Sequence, residues 1–457
     1  MKKTTWVQYI LVVFIVLFTL GCKKDWFDVK SDSHLTVPAT LEDFEALLDD
    51  FGTMNLKTPA LGEVASDGHF MTEARWLANI PAAERNAYTW SNTQAYLAIE
   101  DWDLSYKRVF QCNLVLDGLK KLSPSSNPEK YNRIRGNALF HRAKNYFDLA
   151  QIYAQPYKLN SALSDLGIPL KEGIDVTELS TRSSVKSTYE QILADLKTSI
   201  GLLPSLPSVK SRGSASAACA LLARTYLIMG DYSNALIYSD SSLNQYSTLM
   251  DFNLISSSLT NLGIFNSETL FYSQRSNKYT SITTLSFYGV DPDLYALYHN
   301  NDLRRTRFFT TNAGRIVFKG NYTNSTVGFT GLAVDEQYLI RAECLARAGN
   351  ITQAMDDLNF LLKSRWNNTV TYPIKTAINT EDALNQILVE RKKELLFRTL
   401  RWMDLRRLNL DSRFKVTLTR TIGGVTYTLE PESYRYTFPI PADVLNLAPN
   451  LQQTPGW

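Results

Sequence analysis

The stretch LIRAECLARAGNITQAMDDLNFLL, residues 339–362, has the spacing of two helices joined at Gly349. A second stretch, ALLARTYLIMGDYSNALIYSDSSL at 220–243, aligns with the first when Gly230 is placed on Gly349. Small residues at fixed positions let two antiparallel helices approach closely, and a glycine at the break ends the first helix. The small residues that coincide are Ala223 with Ala342 and Ala235 with Ala354. This spacing indicates the tetratricopeptide pattern, a helix–turn–helix unit of about 34 residues.

Such hairpins need stacked neighbours to bury their apolar faces, and the chain supplies further helical segments. Periodicity predicts a helix at 131–153. The box Ser187–Glu190 is typical of a helix start, here for a helix that runs to Leu203. The segment from Thr380 to about Leu408 predicts the longest helix. We therefore expect a mostly α fold, built on a tetratricopeptide-like scaffold of helical hairpins.

Long segments without helical periodicity separate these helices and are rich in Gly, Pro, Ser, Thr, Asn and aromatic residues. They cover residues 55–106, 155–183, 250–335 and 410–457. Insertions of this length in a compact domain are usually functional or carry small elements of their own. One such element is RTIGGVTYTL at 420–429, which predicts a small β hairpin turning at Gly423–Gly424.

The segment ERKKELLFRTLRWMDLRR, residues 390–407, is dense in charge. Glu390, Glu394 and Arg398 recur every four residues and would share one helix face. Arg401 lies three residues before Asp404, a spacing that allows an ion pair. The pattern predicts an ion-pair network that docks this helix against the scaffold, with a ligand site as the alternative.

The amino terminus has the features of a cleaved leader. Lys2 and Lys3 precede an apolar run that ends in FTLGCKKDWFD, and this run is shorter than the roughly 20 residues that a membrane span needs. The break at Gly21–Cys22 resembles the lipobox of bacterial lipoproteins, although Thr19 stands where Leu is usual. Residues 1–21 are therefore predicted to be a lipoprotein signal peptide and Cys22 to be lipidated. The alternative is a plain signal with an accidental cysteine.

Composition excludes several classes of function. The formal net charge is only +3, which gives no strong field for nucleic acid. Cys112, Cys219 and Cys344 are widely spaced in apolar segments, so buried free thiols are expected. The four histidines are scattered without metal-type spacing, and no nucleophile-elbow, P-loop or zinc-protease motif occurs. No cofactor, no metal and no catalytic residue is predicted.

Four segments together resemble the SusD/RagB family of surface lipoproteins from the Bacteroidetes. They are CKKDWFD from Cys22, YLIRAECLARAG at 338–349, the charged segment at 390–407, and the Pro-rich ending at 439–457. The departures from the family's motifs lie at Phe397–Arg401, Ala448, Thr454 and Trp457.

The resemblance implies a tetratricopeptide scaffold whose insertions carry the ligand site, with a single SusD-like α domain at 22–457. Its N-terminal part would be 22–215 and its C-terminal part 216–457. It also implies a non-catalytic lipoprotein on the outer face of the outer membrane. Such a protein captures oligosaccharides, or peptides in some lineages, for a SusC-like TonB-dependent porin.

Sugars offer apolar C–H faces that suit flat aromatic rings with polar groups at their edges. We therefore predict the ligand site from the aromatic residues and arginines of the insertions, although any single aromatic residue is also compatible with the core. The predicted residues are Arg75, Trp76, Trp90, Tyr96, Tyr279 and Tyr288. Trp102 falls in a predicted helix and is assigned to the core. The alternatives are a tetratricopeptide adaptor lipoprotein that binds envelope proteins and, more weakly supported, a glycan hydrolase.

Overall fold

Helices stacked side by side form the body of the protein in the computed structural model, which describes residues 37–78, 81–93, 99–256, 259 and 261–457. The predicted signal sequence, Cys22 and Tyr96 lie outside the described residues. Residues Leu41–Trp457 form one compact unit.

The helices, in chain order, are α1 (Leu41–Leu48), α2 (Phe51–Met54), α3 (Leu61–Ala65), α4 (Glu73–Leu77), α5 (Ala82–Tyr88), α6 (Ile99–Leu119), α7 (Pro128–Tyr153), α8 (Val185–Ile200), α9 (Ala215–Met229), α10 (Tyr232–Gln245), α11 (Thr280–Thr283), α12 (Pro292–Ala296), α13 (Arg304–Arg307), α14 (Val334–Arg347), α15 (Ile351–Lys363), α16 (Thr380–Glu394), α17 (Leu400–Leu408) and α18 (Ala442–Leu447).

Short strands pair two by two in the segments between the long helices. They are β1 (His69–Met71), β2 (Thr269–Phe271), β3 (Tyr288–Val290), β4 (Phe309–Asn312), β5 (Arg315–Phe318), β6 (Leu332–Ala333), β7 (Leu418–Ile422) and β8 (Val425–Leu429). Each pair is antiparallel: β1 with β3, β2 with β6, β4 with β5, and β7 with β8. The prediction of a mostly α fold with little β structure is confirmed.

The long helices pack as one continuous series. Helix α6 packs on α7, α7 on α8, α8 on α9 and α9 on α10, and α10 then packs directly on α14 although the insertion at 246–333 intervenes. Helix α14 in turn packs on α15 and α16. This series is consistent with stacked tetratricopeptide-like hairpins. The insertions lie between helices in the sequence but do not separate the helices that pack against each other.

The two aligned hairpins have matching turns. Gly230 ends α9 with φ 76°, and Gly349 follows α14 with φ 83°, both in the left-handed region that favours glycine. Asp231 accepts a hydrogen bond from the Asn234 amide and so caps α10. The paired small residues Ala223, Ala342, Ala235 and Ala354 are each 0% exposed. The predicted alignment is thus confirmed in its turns and in its closely packed positions.

The predicted long helix from Thr380 to Leu408 is wrong, because the chain breaks between α16 and α17. Phe397 and Thr399 take φ values of 60° and 61°. The break is held by tertiary contacts: the Thr399 amide donates to a Glu63 carboxylate oxygen at 2.7 Å, and Phe397 is buried. The longest described helix is instead α7, with 26 residues.

The start of α8 also differs from the prediction. Ser184, not Ser187, is the N-cap, and its hydroxyl oxygen accepts the Ser187 amide at 3.0 Å. Three serines lie within this stretch, and backbone geometry rather than composition selects the capping one. The helix ends at Ile200, before the predicted Leu203.

The charged segment at 390–407 forms the predicted ion-pair network. Arg304 binds Glu390 at 2.7 Å and Glu394 at 2.8 Å, and Arg398 binds Asp335 at 2.7 Å. The predicted pair of Arg401 with Asp404 is wrong. Arg401 binds Asp67 at 2.7 Å, whereas Asp404 binds Arg391 and Arg407 at 2.8 Å each.

Cys112, Cys219 and Cys344 are buried and free, as predicted. Burial raises the pKa of the Cys112 thiol to about 12 and that of Cys219 to about 11, so these side chains act as small apolar groups. Within the described part of the chain, no helix combines the length and apolar character that crossing a membrane requires.

Candidate carbohydrate-binding site

The β7–β8 hairpin carries one wall of the candidate site. Its turn lies at Gly423 and Gly424, with φ values of 57° and 74°, which confirms the predicted hairpin. Arg420 on β7 lies directly opposite Tyr427 on β8, so the two side chains share one face of the hairpin.

Arg420 fastens this face to the segment that contains α3, α4 and α5. Its guanidinium carbon lies 3.7 Å from the centre of the Tyr88 ring and 4.6 Å from that of Trp90. The same guanidinium donates to the carbonyl oxygens of Tyr88 and Ser66. Burial lowers the pKa of Arg420 to about 10, and the carbonyl oxygens stabilise the charge that remains. The hairpin is therefore held at a fixed position beside α4.

Four half-buried side chains, Arg75, Trp76, Phe287 and Tyr427, form what we call the aromatic platform. The rings of Trp76 and Tyr427 lie 6.4 Å apart at an interplanar angle of 44°. The guanidinium carbon of Arg75 lies 4.8 Å from the centre of the Phe287 ring. Thr72 caps α4 by accepting the Arg75 amide, which fixes the start of this short helix.

The platform holds hydrogen-bond donors that the described residues do not use. The Arg75 guanidinium makes no hydrogen bond or ion pair with any residue the structure describes, its contact being the Phe287 ring. The indole N–H of Trp76 likewise has no acceptor among these residues, and it is shielded from water in this conformation. An arginine presents five N–H donors in a planar fork, so Arg75 is equipped to bind an oxygen-rich ligand.

Three of the predicted site residues lie in the core. Trp90, Tyr279 and Tyr288 are 2%, 5% and 1% exposed, so none offers a ring face at the surface. Each is retained by packing and by a polar contact. The Trp90 indole donates to Ala65 oxygen at 3.0 Å, the Tyr279 hydroxyl lies beside the Asp101 carboxyl group, and Tyr288 donates to Phe318 oxygen at 3.5 Å.

Arg75 and Trp76 are therefore the predicted residues that the structure places together near the surface, while Tyr96 lies outside the described residues. Phe287 and Tyr427 are not among the site residues predicted from the sequence. Alternation along β8 could have indicated that Tyr427 faces inward with Arg420, but nothing in the sequence brings this hairpin to α4.

A second aromatic feature is a groove of about 290 Å³, which we call the α6 groove, lined by Trp102, Tyr106, Phe110 and the loop at 169–180. Trp102 is 7% exposed and lies in α6, in agreement with its assignment to the core. The polar groups of this groove are largely used within the protein. Tyr106 donates to Pro169 oxygen at 2.8 Å, and Lys171 donates to Glu178 oxygen at 2.8 Å.

Glu268, Asp335 and Glu394 bring buried carboxylate oxygens within 4.8 Å of one another, a spacing that would suit a cation. Arginines already neutralise them. Arg365 binds Glu268 at 2.6 Å and Glu394 at 2.8 Å, and Arg398 binds Asp335. Burial, followed by the neighbouring carboxylates, raises the pKa of Glu268 to about 7. We interpret this cluster as part of the ion-pair network rather than as a metal site.

Stacked helical hairpins with an aromatic patch on their insertions define the class of the protein as a helical binding scaffold. Two family models match the chain. One, described as starch-binding and associating with the outer membrane, matches residues 25–227, and one described as the SusD family matches residues 321–457. The chain belongs to the SusD/RagB family.

Solved structures of this family have the same fold. A predicted sugar-binding protein from Bacteroides vulgatus is 21% identical with a TM-score of 0.76, and the match covers 92% of this chain and 100% of that one. A SusD superfamily protein from Bacteroides thetaiotaomicron is 21% identical with a TM-score of 0.72, covering 91% and 100%. A SusD-like carbohydrate-binding protein from Bacteroides vulgatus is 21% identical with a TM-score of 0.70, covering 90% and 97%. A search of curated proteins found no match.

Proposed function

We propose that this protein is a non-catalytic lipoprotein that captures oligosaccharide at the aromatic platform, for uptake by a SusC-like TonB-dependent transporter in the outer membrane. The observation that carries the proposal is the Arg75 guanidinium, which no described residue pairs, over the half-buried Phe287 ring, together with the neighbouring half-buried rings of Trp76 and Tyr427. Family membership and the carbohydrate-binding descriptions of related structures support the same class of ligand.

The chemistry of the platform fits a saccharide better than an apolar ligand. A pyranose ring places its C–H face on an aromatic ring and its hydroxyl groups at the ring's edge. The Arg75 guanidinium lies over the Phe287 ring, and its N–H donors are unused by the described residues. Hydroxyl oxygens of the sugar would accept these donors, and the rings would cover the apolar face.

The platform is favoured over the α6 groove because of its free polar groups. A site that recognises hydroxyl groups needs donors and acceptors that are not already paired within the protein. In the groove, Tyr106 and Lys171 already donate to backbone oxygens, and Asn113 donates to Lys171 oxygen at 2.6 Å. We therefore assign ligand capture to the platform and keep the groove as the matched control.

Glycan and peptide arrays probed with the soluble form, begun after Cys22, test the ligand class. The proposal predicts binding to one family of glycans, with intact glycan recovered after prolonged incubation. Binding to peptides alone would contradict the oligosaccharide assignment, and cleavage of the glycan would contradict a non-catalytic role.

The proposed anchor and partner have separate tests. Metabolic labelling with palmitate should mark the wild-type chain and leave a Cys22→Ser variant unlabelled. Protease treatment of whole cells should degrade the chain if it faces the exterior, and an intact chain would contradict that orientation. Affinity purification from outer membranes should recover a TonB-dependent transporter, and its absence would contradict the partnership.

A further inference from the structure

The Arg75 guanidinium on the aromatic platform carries a charge that no described carboxylate balances. Its contact is the Phe287 ring, whose centre lies 4.8 Å from the guanidinium carbon, and it forms no ion pair with any residue that the structure describes. Arg75 is half-buried, but the described residues enclose none of its guanidinium nitrogens. A guanidinium in this position keeps its positive charge and its five N–H donors for a ligand.

A second arginine lies against the main chain on both sides of Phe287. Arg315, on β5, donates from Nη2 to the Ser286 oxygen at 2.7 Å and from Nε to the Tyr288 oxygen at 3.3 Å. Its Nη1 has no partner in the described part of the chain and is not enclosed there, and no carboxylate in that part pairs with Arg315. Two positive charges without carboxylate partners therefore lie on residues 286–288.

Two further arginines hold the β7–β8 hairpin without neutralising their charge. Arg420 donates to main-chain carbonyl oxygens below the hairpin. Arg435 donates to the Trp90 oxygen at 2.9 Å and to the Thr428 oxygen at 3.0 Å. Carbonyl oxygens orient a guanidinium but leave its net charge in place, so both side chains add to the positive potential around the platform.

The carboxylates on the same elements are fewer than these arginines. Glu73 is exposed and lies at the hairpin turn, and Glu430, also exposed, accepts the Thr417 hydroxyl at 2.6 Å beyond the end of β8. Glu432 is paired with two lysines. The four guanidiniums thus outweigh Glu73 and Glu430, and the surface around the platform is positive.

We propose that the oligosaccharide captured at the platform is acidic, with a carboxylate or sulfate group bound by Arg75 and a further anionic group attracted by Arg315. This inference rests on the proposed capture of oligosaccharide at the platform. Arg75, whose donors are free, can bind two oxygens of an anionic group through parallel N–H···O bonds, whereas sugar hydroxyl groups would leave its charge unbalanced. The aromatic rings would cover the apolar faces of the sugar units that carry these groups.

Titration calorimetry on the full chain with acidic and neutral polysaccharides tests the charge of the ligand. Polygalacturonate and alginate carry carboxylates, carrageenan carries sulfate esters, and amylose, galactan and mannan are neutral. We expect an acidic probe to bind more tightly than every neutral one, and comparison of carboxylated with sulfated probes identifies the anionic group. A neutral probe that binds as tightly as the best acidic one would overturn this inference and leave oligosaccharide capture standing. Binding of no probe would contradict oligosaccharide capture itself, and this inference with it.

Two variants connect the preference to the named arginines. Arg75→Gln removes the charge but keeps an amide donor, and it should lower the affinity for the acidic probe about tenfold. Arg315→Gln should lower this affinity about threefold, because Arg315 has fewer free donors. Arg135→Gln removes the same charge at an exposed position of α7, so it is the matched control and should bind as wild type. Wild-type affinity in Arg75→Gln, which loses no hydrogen bond to a described residue, would contradict the inference even if Arg315→Gln did not fold.

The salt dependence of the affinity separates a lost charge from a distorted platform, because ions screen charge interactions but not contacts between rings and sugars. Between about 50 mM and about 500 mM NaCl, wild type and Arg135→Gln should lose about fivefold in affinity for the acidic probe, and Arg75→Gln should lose less. Parallel salt dependences for wild type and Arg75→Gln would overturn the assignment of Arg75 as the partner of the anionic group.

Discussion

The ring of Trp76 lies 6.4 Å from the ring of Tyr427, centre to centre, although the two residues come from opposite ends of the folded chain. Trp76 belongs to the short helix α4, and Tyr427 to the β7–β8 hairpin. Their approach depends on Arg420, which holds the hairpin against Tyr88 and Trp90. The platform is thus created by tertiary packing, and the residues that form it can be tested one at a time.

Replacing Arg75 by Ala should lower the affinity for oligosaccharide about tenfold, because hydrogen bonds to a charged group are typically worth about 1.5–3 kcal/mol. The melting temperature should change little, since the Arg75 guanidinium contacts a ring but forms no hydrogen bond with described residues. Titration calorimetry and a thermal melt measure the two quantities. Arg135→Ala, an exposed arginine on α7, is the control and should bind as wild type; equal affinities for both variants would contradict a role for Arg75.

Replacing Arg420 by Met should lower both stability and ligand affinity. The change leaves the carbonyl oxygens of Tyr88 and Ser66 without their donor and removes the charge above two aromatic rings. We expect a loss of about 2–4 kcal/mol in the free energy of unfolding, measured by urea denaturation. Thr421→Ala, on the exposed face of the same strand, should cost less than about 0.5 kcal/mol. Comparable losses for the two would show that Arg420 is not the anchor.

Asp101 should make stability fall as the pH rises. It is fully buried, and burial raises its pKa to about 7, while its Oδ2 accepts the amides of Ala60 and Leu61 at 2.9 Å. The folded state then holds a proton that the unfolded state releases near pH 4, so stability contributed by the protonated group is full below pH 4 and is lost as the pH approaches 7.

The variant Asp101→Asn has no carboxyl group to titrate, and its side-chain oxygen can still accept the two amides. Its free energy of unfolding should therefore fall less than that of wild type between pH 4 and pH 7, by roughly 2–4 kcal/mol. Denaturant titrations across this range measure the difference. The exposed Asp103→Asn should keep most of the wild-type slope, and parallel curves for wild type and Asp101→Asn would refute the assignment.

The turn glycines of the hairpin series provide a conformational test of the fold. Gly230→Ala should cost about 1–2 kcal/mol, because φ is 76° there although the space around the added methyl group is open. Gly201→Ala at the end of α8 should be neutral, because Gly201 has φ −73° and its nearest atom would be 4.0 Å away. Thermal denaturation compares the two; a neutral Gly230→Ala would contradict the left-handed turn.

The helical scaffold could be predicted from the sequence because its signals are local. Gly230 and Gly349 lie next to the apolar periodicity they interrupt, and the Gly423–Gly424 turn lies between its own two strands. The break between α16 and α17 could not be predicted in this way. It depends on Glu63, which accepts the Thr399 amide from a distant part of the chain.

The candidate site, too, depends on contacts between distant parts of the chain. Trp76 and Trp90 both lie in a loop-rich insertion, and composition does not indicate which of them lies near the surface. The structure separates them because Arg420 lies over Trp90, whereas Trp76 is left half-buried beside Tyr427. The ion pair of Arg401 differs from the predicted one for a similar reason. Arg401 lies within helical reach of Asp404, yet Asp67, in the turn between α3 and β1, accepts two hydrogen bonds from its guanidinium.

The most direct test of oligosaccharide capture at the platform is calorimetric titration of an array-selected glycan into the double variant Trp76→Ala, Tyr427→Ala. The control is Phe110→Ala, which removes the 40% exposed ring of the α6 groove. The proposal predicts that the double variant remains folded and binds more than tenfold more weakly, while Phe110→Ala binds as wild type. Wild-type affinity in the double variant, or a loss confined to Phe110→Ala, would contradict it.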